Sequence, residues 1–207
     1  MSVQQILTIA LPKGRIATQT LELFEKILQQ RVEFENRKLI LHQDNIRFLL
    51  VRNQDVPAYV EHQAADLGVV GLDVLEESSS NVMRLLDLGL GKCRVVVGSL
   101  ENAQPYTQKP IVKVATKMVN ITKSYFASKA IAVETIKLYG SIELAPLVGL
   151  SDVIVDIVET GETMAQNHLK IDEVILHSSA YLVANSNSFY AKQKGILQVK
   201  EQLEKIL

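Results

Sequence analysis

Short apolar runs recur along this chain, and between them lie turns and stretches whose apolar residues repeat every three or four positions. Ile6 to Leu11 is the first run. Pro12-Lys13-Gly14-Arg15 is a turn opening a helix whose Leu21, Leu23, Phe24, Ile27 and Leu28 fall largely on one face. Val32 to His42 mixes charges and aliphatics with weak alternation, which predicts irregular or edge-strand structure. Ile46 to Val51 predicts a clearer strand ending at Arg52. Asp55 is expected to cap a helix that carries Pro57 in its first turn and runs to about Gln63. Leu67 to Gly71 is a third strand, followed by Leu72, Asp73 and a helix through about Glu77.

Ser78 to Asn81 is a polar break, Met83 to Leu86 a short strand, and Leu88-Gly89-Leu90-Gly91 a connection into the strand Cys93 to Ser99. That strand is a candidate crossing between two lobes. After a loop from Glu101 to Pro110 the alternation restarts with a strand Val112 to Ala115, a helix from about Lys117 to Ser128, a strand Ala130 to Thr135 and a helical piece around Ser141 to Ala145. Val153 to Val158, β-branched with one acidic interruption at Asp156, predicts a buried parallel strand. Glu159 to Thr163 is then a turn, with Thr163 expected to cap a helix beginning near Met164. Val174 to Ala184 predicts one long strand crossing back, and residues 188–207 predict amphipathic helical segments interrupted at Gly195. The restart predicts two lobes, 1–92 with 185–207 and 93–184, joined by two crossings around a cleft that a ligand would bridge.

Composition adds exclusions. The 207 residues are 47% apolar, enough to bury a core, and the net charge of −1 offers no global basic field for nucleic acid or an anionic membrane. Any anion site must be local. Met1 to Ala10 has no basic n-region, and no apolar run approaches the roughly 18 residues of a membrane span, so the expected location is cytoplasmic. The single Cys93 excludes an intrachain disulfide and a multi-cysteine metal site, and its apolar neighbours predict a buried thiol. His42, His62, His168 and His177 show no ligand spacing.

Two places could hold an anion. Lys13, Arg15, Arg52 and Asp73 fall at the C-terminal ends of predicted strands, the edge where open α/β sheets bind ligands. The turn Glu159 to Thr163 directs backbone N–H groups and a helix start at one spot, which suits a phosphate. Asp156 and Glu159 would repel a bare phosphate. They make sense beside one if they face ribose hydroxyls or a hydroxyl-bound metal, so the stretch reads as a site for a phosphorylated sugar.

LPKGR at 11–15, GVVGLDVL at 68–75, DLGLGKCR at 87–94, VATKMVNIT at 114–122 and IVDIVETGET at 154–163 together resemble the ATP phosphoribosyltransferase family, in family order. The chain resembles the short form, which lacks a C-terminal regulatory domain and works with a subunit resembling a histidyl-tRNA synthetase. Met164 departs from the Leu expected after the turn. The resemblance implies an α/β fold of two lobes similar to type II periplasmic binding proteins. It also implies transfer of the 5-phosphoribosyl group of phosphoribosyl pyrophosphate to N1 of ATP, with Mg²⁺, in the first step of histidine biosynthesis. On the resemblance, Glu143, Asp152, Asp156, Glu159, Thr160, Gly161, Glu162 and Thr163 contact phosphoribosyl pyrophosphate. Lys13, Gly14, Arg15, Arg52 and Asp73 contact ATP, and Arg15 and Arg52 are the candidate catalytic cations. No protein ligand set for the metal is read. A homodimer within a hetero-oligomer is implied. A two-lobed binding or sensing module, and a phosphoribosyltransferase acting on a free base, are the alternatives that the residues alone leave open.

Overall fold

The computed structural model describes residues 6–35 and 37–207. Residues 1–5 of the N-terminal stretch read for a leader, and Asn36 within the irregular segment, lie outside them. The chain divides into two compact units, one formed by the residues up to Gly91 with Ser179–Leu207, the other by Lys92–Ser178.

The first unit opens with strand β1 (Leu7–Pro12), buried along its whole length. Leu7, Ile9 and Leu11 belong to one core cluster and Ala10 to another, so the strand serves both faces of its sheet. This is why it reads as a continuous apolar run rather than an alternating one. Gly14 then takes φ 100°, a conformation L-residues rarely adopt, and starts helix α1 (Arg15–Leu28). The helix buries Ala17, Thr20, Leu23 and Phe24, and the Phe24 ring meets Phe48 edge-on with centroids 5.0 Å apart. Strand β2 (Ile40–Gln43) is an antiparallel edge strand beside β3 (Ile46–Val51).

A 3₁₀ turn over Asn53–Asp55 leads into α2 (Val56–Glu61). The expected Asp55 cap does not form. Asp55 is itself helical and makes no side-chain capping bond, because its N–H closes the 3₁₀ turn on the Arg52 carbonyl at 3.0 Å. Pro57 does occupy the first turn of α2. Then come β4 (Leu67–Gly71), α3 (Leu72–Ser78) and β5 (Met83–Asp87).

The second unit contains β6 (Cys93–Leu100), β7 (Val112–Thr116), α4 (Val119–Ser128), β8 (Val133–Lys137), α5 (Leu144–Leu147), β9 (Val153–Val158), α6 (Glu162–Gln166) and β10 (Leu169–Ser178). Its sheet has the order β10-β6-β9-β7-β8. Strand β9 is parallel to β7 but antiparallel to β6, so the expected parallel strand sits where the sheet changes direction. Alternation divides its residues: Val95, Val97, Val153 and Val155 pack with Phe126, while Val96, Ile154 and Val158 pack with Ala145 and Met164. Outside that core, Glu173 of β10 ties down two other segments. Its carboxylate accepts hydrogen bonds from Tyr106 and Tyr125, each at 2.5 Å, and from Lys129.

The chain returns through β11 (Ala180–Ala184), α7 (Ser186–Ala191) and α8 (Gln193–Glu204). The single strand expected from Val174 to Ala184 is therefore two strands in two sheets. Strand β10 pairs with β6, whereas β11 pairs with β4 and β5. Ser179 already bonds to the first unit: its carbonyl accepts the Leu72 N–H at 3.0 Å and its hydroxyl donates to Asp87 at 2.6 Å. The return thus falls ahead of the boundary expected at 185. The helical break also moves, to Lys192 between α7 and α8, and Gly195 lies inside α8, where a Cβ would stand 3.2 Å from Leu7 Cδ1. Lys192 reaches back to Asp66 Oδ2 at 2.7 Å, the carboxylate oxygen that also accepts the Thr8 N–H at 2.9 Å.

The first sheet has the order β2-β3-β1-β4-β11-β5. Its strands β3, β1 and β4 run parallel, and their C-terminal ends share one edge.

Candidate functional site

The second unit carries a cavity of about 420 Å³ where β9 gives way to α6. Glu143, Asp156, Glu159, Thr160, Gly161, Glu162 and Thr163 all line it, so seven of the eight residues expected to contact phosphoribosyl pyrophosphate come together. Gly161 takes φ 92° and immediately precedes α6. The helix starts at Glu162, and Thr163 lies within it instead of capping it. The left-handed glycine makes the turn, and Thr160 Oγ1 accepts the Glu162 N–H at 3.4 Å. Behind the turn Met164 is buried, and its Cε occupies the space above Gly98, where a Cβ would come within 2.2 Å. A flexible thioether in place of the expected Leu is accommodated by that glycine.

Asp156 is fixed by two contacts to the same oxygen. Oδ1 accepts the N–H of Ile157 at 2.8 Å and lies 3.1 Å from Nζ of Lys117. Lys117 was not among the expected site residues, although it stands within the VATKMVNIT segment. It follows β7, and its backbone is held there by Thr116, whose hydroxyl donates to the Val155 carbonyl and accepts the Met118 N–H, both at 2.8 Å. Among the residues lining the cavity Lys117 is the sole cation.

Asp152 does not join this group. It immediately precedes β9, whereas Asp156, the nearest carboxylate of the cavity in sequence, lies four residues on, roughly 13 Å along the strand. Asp152 pairs with Lys109 Nζ at 2.5 Å and accepts the Lys113 N–H at 2.8 Å. Burial pushes its carboxyl up, but the hydrogen bonds and charges of Lys109 and Lys113 outweigh this and hold it below its ordinary range. Its acidity suits a local ion pair that secures the start of β9.

In the first unit the parallel strands bring Lys13, Gly14 and Arg15 to the end of β1, Arg52 to the end of β3 and Asp73 to the helix after β4. Pro12 and Val51 are register partners, and the Lys13 N–H donates to the Val51 carbonyl at 2.8 Å, so the first two groups are adjacent. Lys13, Arg15 and Arg52 are exposed, and Asp73 is buried in the first turn of α3.

The model of the HisG family, ATP phosphoribosyltransferase, matches residues 52–205. The chain belongs to this family. Relatives named ATP phosphoribosyltransferase include one from Wolinella succinogenes, 64% identical over 97% of this chain and 98% of its own length. Another, from Helicobacter hepaticus, is 60% identical over 98% of each chain. Among solved structures, the ATP phosphoribosyl transferase (HisG:HisZ) complex from Thermotoga maritima superposes with a TM-score of 0.85 at 33% identity, covering 97% of this chain and 98% of that one. The aliphatic sulphonate binding protein SsuA from Escherichia coli has a TM-score of 0.62 at 13% identity, over 97% and 72% of the two chains. That likeness concerns the fold alone and bears out the expected resemblance to periplasmic binding proteins.

Membership in the ATP phosphoribosyltransferase family makes the chain a transferase of histidine biosynthesis and decides against the non-enzymatic alternative. Among the described residues no cluster of three or more His, Cys, Asp or Glu side chains is arranged to hold a metal ion, and no helix is long and apolar enough to cross a membrane. Mg²⁺ does not require such a cluster, because it is commonly bound through one or two carboxylates with water and substrate phosphates completing the shell. Asp156, Glu159 and Glu143 supply carboxylates of this kind around the cavity, so the donor set fits that mode.

Proposed function

We propose that the Lys92–Ser178 unit binds phosphoribosyl pyrophosphate in the cavity after β9, and that its ribosyl carbon is transferred to N1 of ATP. The observation that carries this reading is the convergence of Asp156, Glu159 and the Thr160–Thr163 turn on one cavity. Backbone N–H groups of the turn take the 5-phosphate, and Gly161 allows the reversal that exposes them. Asp156 and Glu159 hold the ribose hydroxyls and, with oxygens of the diphosphate, would hold Mg²⁺. The chemistry Mg²⁺ supplies when bound is neutralisation of the leaving group's charge.

Adenine N1 carries a free lone pair, so no protein base is required to activate it. The N1–C1′ bond forms, the bond from C1′ to the diphosphate oxygen breaks, and pyrophosphate leaves with that electron pair. The protein's contribution is position and electrostatics. Lys13, Arg15 and Arg52 neutralise ATP phosphate charge on the first unit, with Arg15 and Arg52 acting in catalysis, and Asp73 provides a polar contact. The working form is a homodimer assembled with a HisZ-like regulatory subunit resembling a histidyl-tRNA synthetase, in the cytoplasm. The Thermotoga maritima HisG:HisZ complex supports that partnership.

Pyrophosphate release from phosphoribosyl pyrophosphate, measured with ATP and with a panel of free purine and pyrimidine bases, tests the reaction. Release with ATP is expected. Release with a free base and not with ATP overturns the assigned acceptor.

A further inference from the structure

The sequence leaves an electrostatic difficulty at the β9 turn, since Asp156, Glu159 and Glu162 surround a position meant for a polyanion. Glu143 adds a fourth carboxylate to the cavity lining. Backbone N–H groups are neutral donors and offset only part of that repulsion. The cavity lining contains one compensating charge, Lys117, and it is spent on Asp156 at 3.1 Å.

Two features make this pair something other than a fixed brace. First, Asp156 does not depend on Lys117 for its orientation, because the Ile157 N–H holds the same Oδ1 oxygen at 2.8 Å. Second, the backbone of Lys117 is anchored through Thr116, whereas its side chain remains 32% exposed against 14% for Asp156. The ammonium can therefore swing on a flexible stem while the carboxylate stays in place. When ribose hydroxyls donate to Asp156, the carboxylate's charge is solvated by the ligand and Lys117 is released to a stronger acceptor. With the 5-phosphate on the turn and the hydroxyls on Asp156, the remaining anionic group of the substrate is the diphosphate.

We infer that Lys117 is a substrate-binding residue that exchanges its ion pair with Asp156 for an oxyanion of the diphosphate when phosphoribosyl pyrophosphate enters the cavity. The inference rests on the substrate assigned above. Before the substrate enters, the pair offsets the charge of one of the four carboxylates, Asp156. In the occupied site the same cation stabilises the charge that leaves with pyrophosphate.

The test is a double-mutant cycle read by calorimetric binding of phosphoribosyl pyrophosphate in the presence of Mg²⁺. Lys117→Met is expected to weaken binding about tenfold or more, and Lys117→Arg to recover most of it, with melting temperatures close to wild type. The deciding comparison is made in the Asp156→Asn background, where no carboxylate is left for Lys117 to hold. Adding Lys117→Met there should again weaken binding about tenfold. If the second substitution has no effect in that background, Lys117 only braces Asp156 and the inference is overturned. Unchanged binding by Lys117→Met alone overturns it equally. Wild-type protein that binds no phosphoribosyl pyrophosphate overturns the assigned substrate, and this inference with it.

Discussion

At the scale of single residues, Gly161 and the two strand-end arginines carry the sharpest expectations. Gly161 has open space beside it, its nearest neighbours to a built Cβ being Val158 Cγ1 at 3.8 Å and Ile171 Cδ1 at 4.0 Å. A larger residue is therefore opposed by the φ of 92° and not by crowding, at a cost of about 1–2 kcal/mol for a left-handed L-residue. Gly161→Val should reshape the turn and weaken phosphoribosyl pyrophosphate binding at least about tenfold, measured by calorimetry on the folded variant. Binding at wild-type strength would remove the 5-phosphate from this turn. Arg15→Gln and Arg52→Gln should raise KM for ATP or lower kcat while the melting temperature stays nearly constant, because both side chains are exposed. Steady-state kinetics beside a thermal melt decides this, and wild-type kinetics in both variants would return them to ordinary surface charges.

At the scale of elements, strand β10 is tied to α4 and to the turn at Tyr106 through one carboxylate. The ammonium of Lys129 and the hydroxyls of Tyr106 and Tyr125 hold the Glu173 carboxyl down at about 2, from an ordinary 4.5. Burial and the same hydrogen bond push the Tyr106 hydroxyl up. A carboxyl depressed in the folded state stabilises the fold above its unfolded pKa, and that contribution is lost as pH falls from about 4.5 to about 2. Acid titration of stability should therefore show a loss in this window that is shallower in Glu173→Gln, and that variant should be the less stable one at neutral pH. Equal slopes for the two proteins would mean that Glu173 is not linked to acid unfolding. The group is partly exposed, so solvent screening makes the effect smaller than its pKa displacement alone suggests.

At the scale of the whole molecule, two units each own a core, and the chain passes between them after Gly91 and again after Ser178. The expected substrate residues are divided between the units, and allosteric control needs a distinct effector site with states the effector distinguishes. The partnership proposed above would place that site on the HisZ-like subunit. The isolated chain should be poorly active. Adding the purified HisZ-like subunit should raise pyrophosphate release from ATP and phosphoribosyl pyrophosphate, and histidine should then inhibit the mixture. Full activity with full histidine inhibition in the isolated chain would falsify this division of labour.

What the sequence determined by itself was local or combinatorial. Ile46 to Val51, Leu67 to Gly71 and Val153 to Val158 were readable as strands at their observed bounds, because a strand covered within a sheet leaves a short, mostly apolar run, broken here only by Arg47 and Asp156. The family was legible because several short motifs occur together in order, and the turn at Gly161 because only glycine accepts its φ readily. The tertiary structure decided which segments meet. Val174 to Ala184 has one unbroken pattern but pairs with β6 before Ser179 and with β4 and β5 after it, since apolar character records that a strand is buried and not which sheet buries it. Asp152 and Asp156 lie only four residues apart, yet Asp152 stands just before β9 and pairs with Lys109, whereas Asp156 lies within the strand and pairs with Lys117. Those ion pairs join different strands and loops, and their partners are selected by parallel pairing of β7 with β9. Periodicity along either segment carries no record of that pairing, so the cation of the site emerged only with the fold.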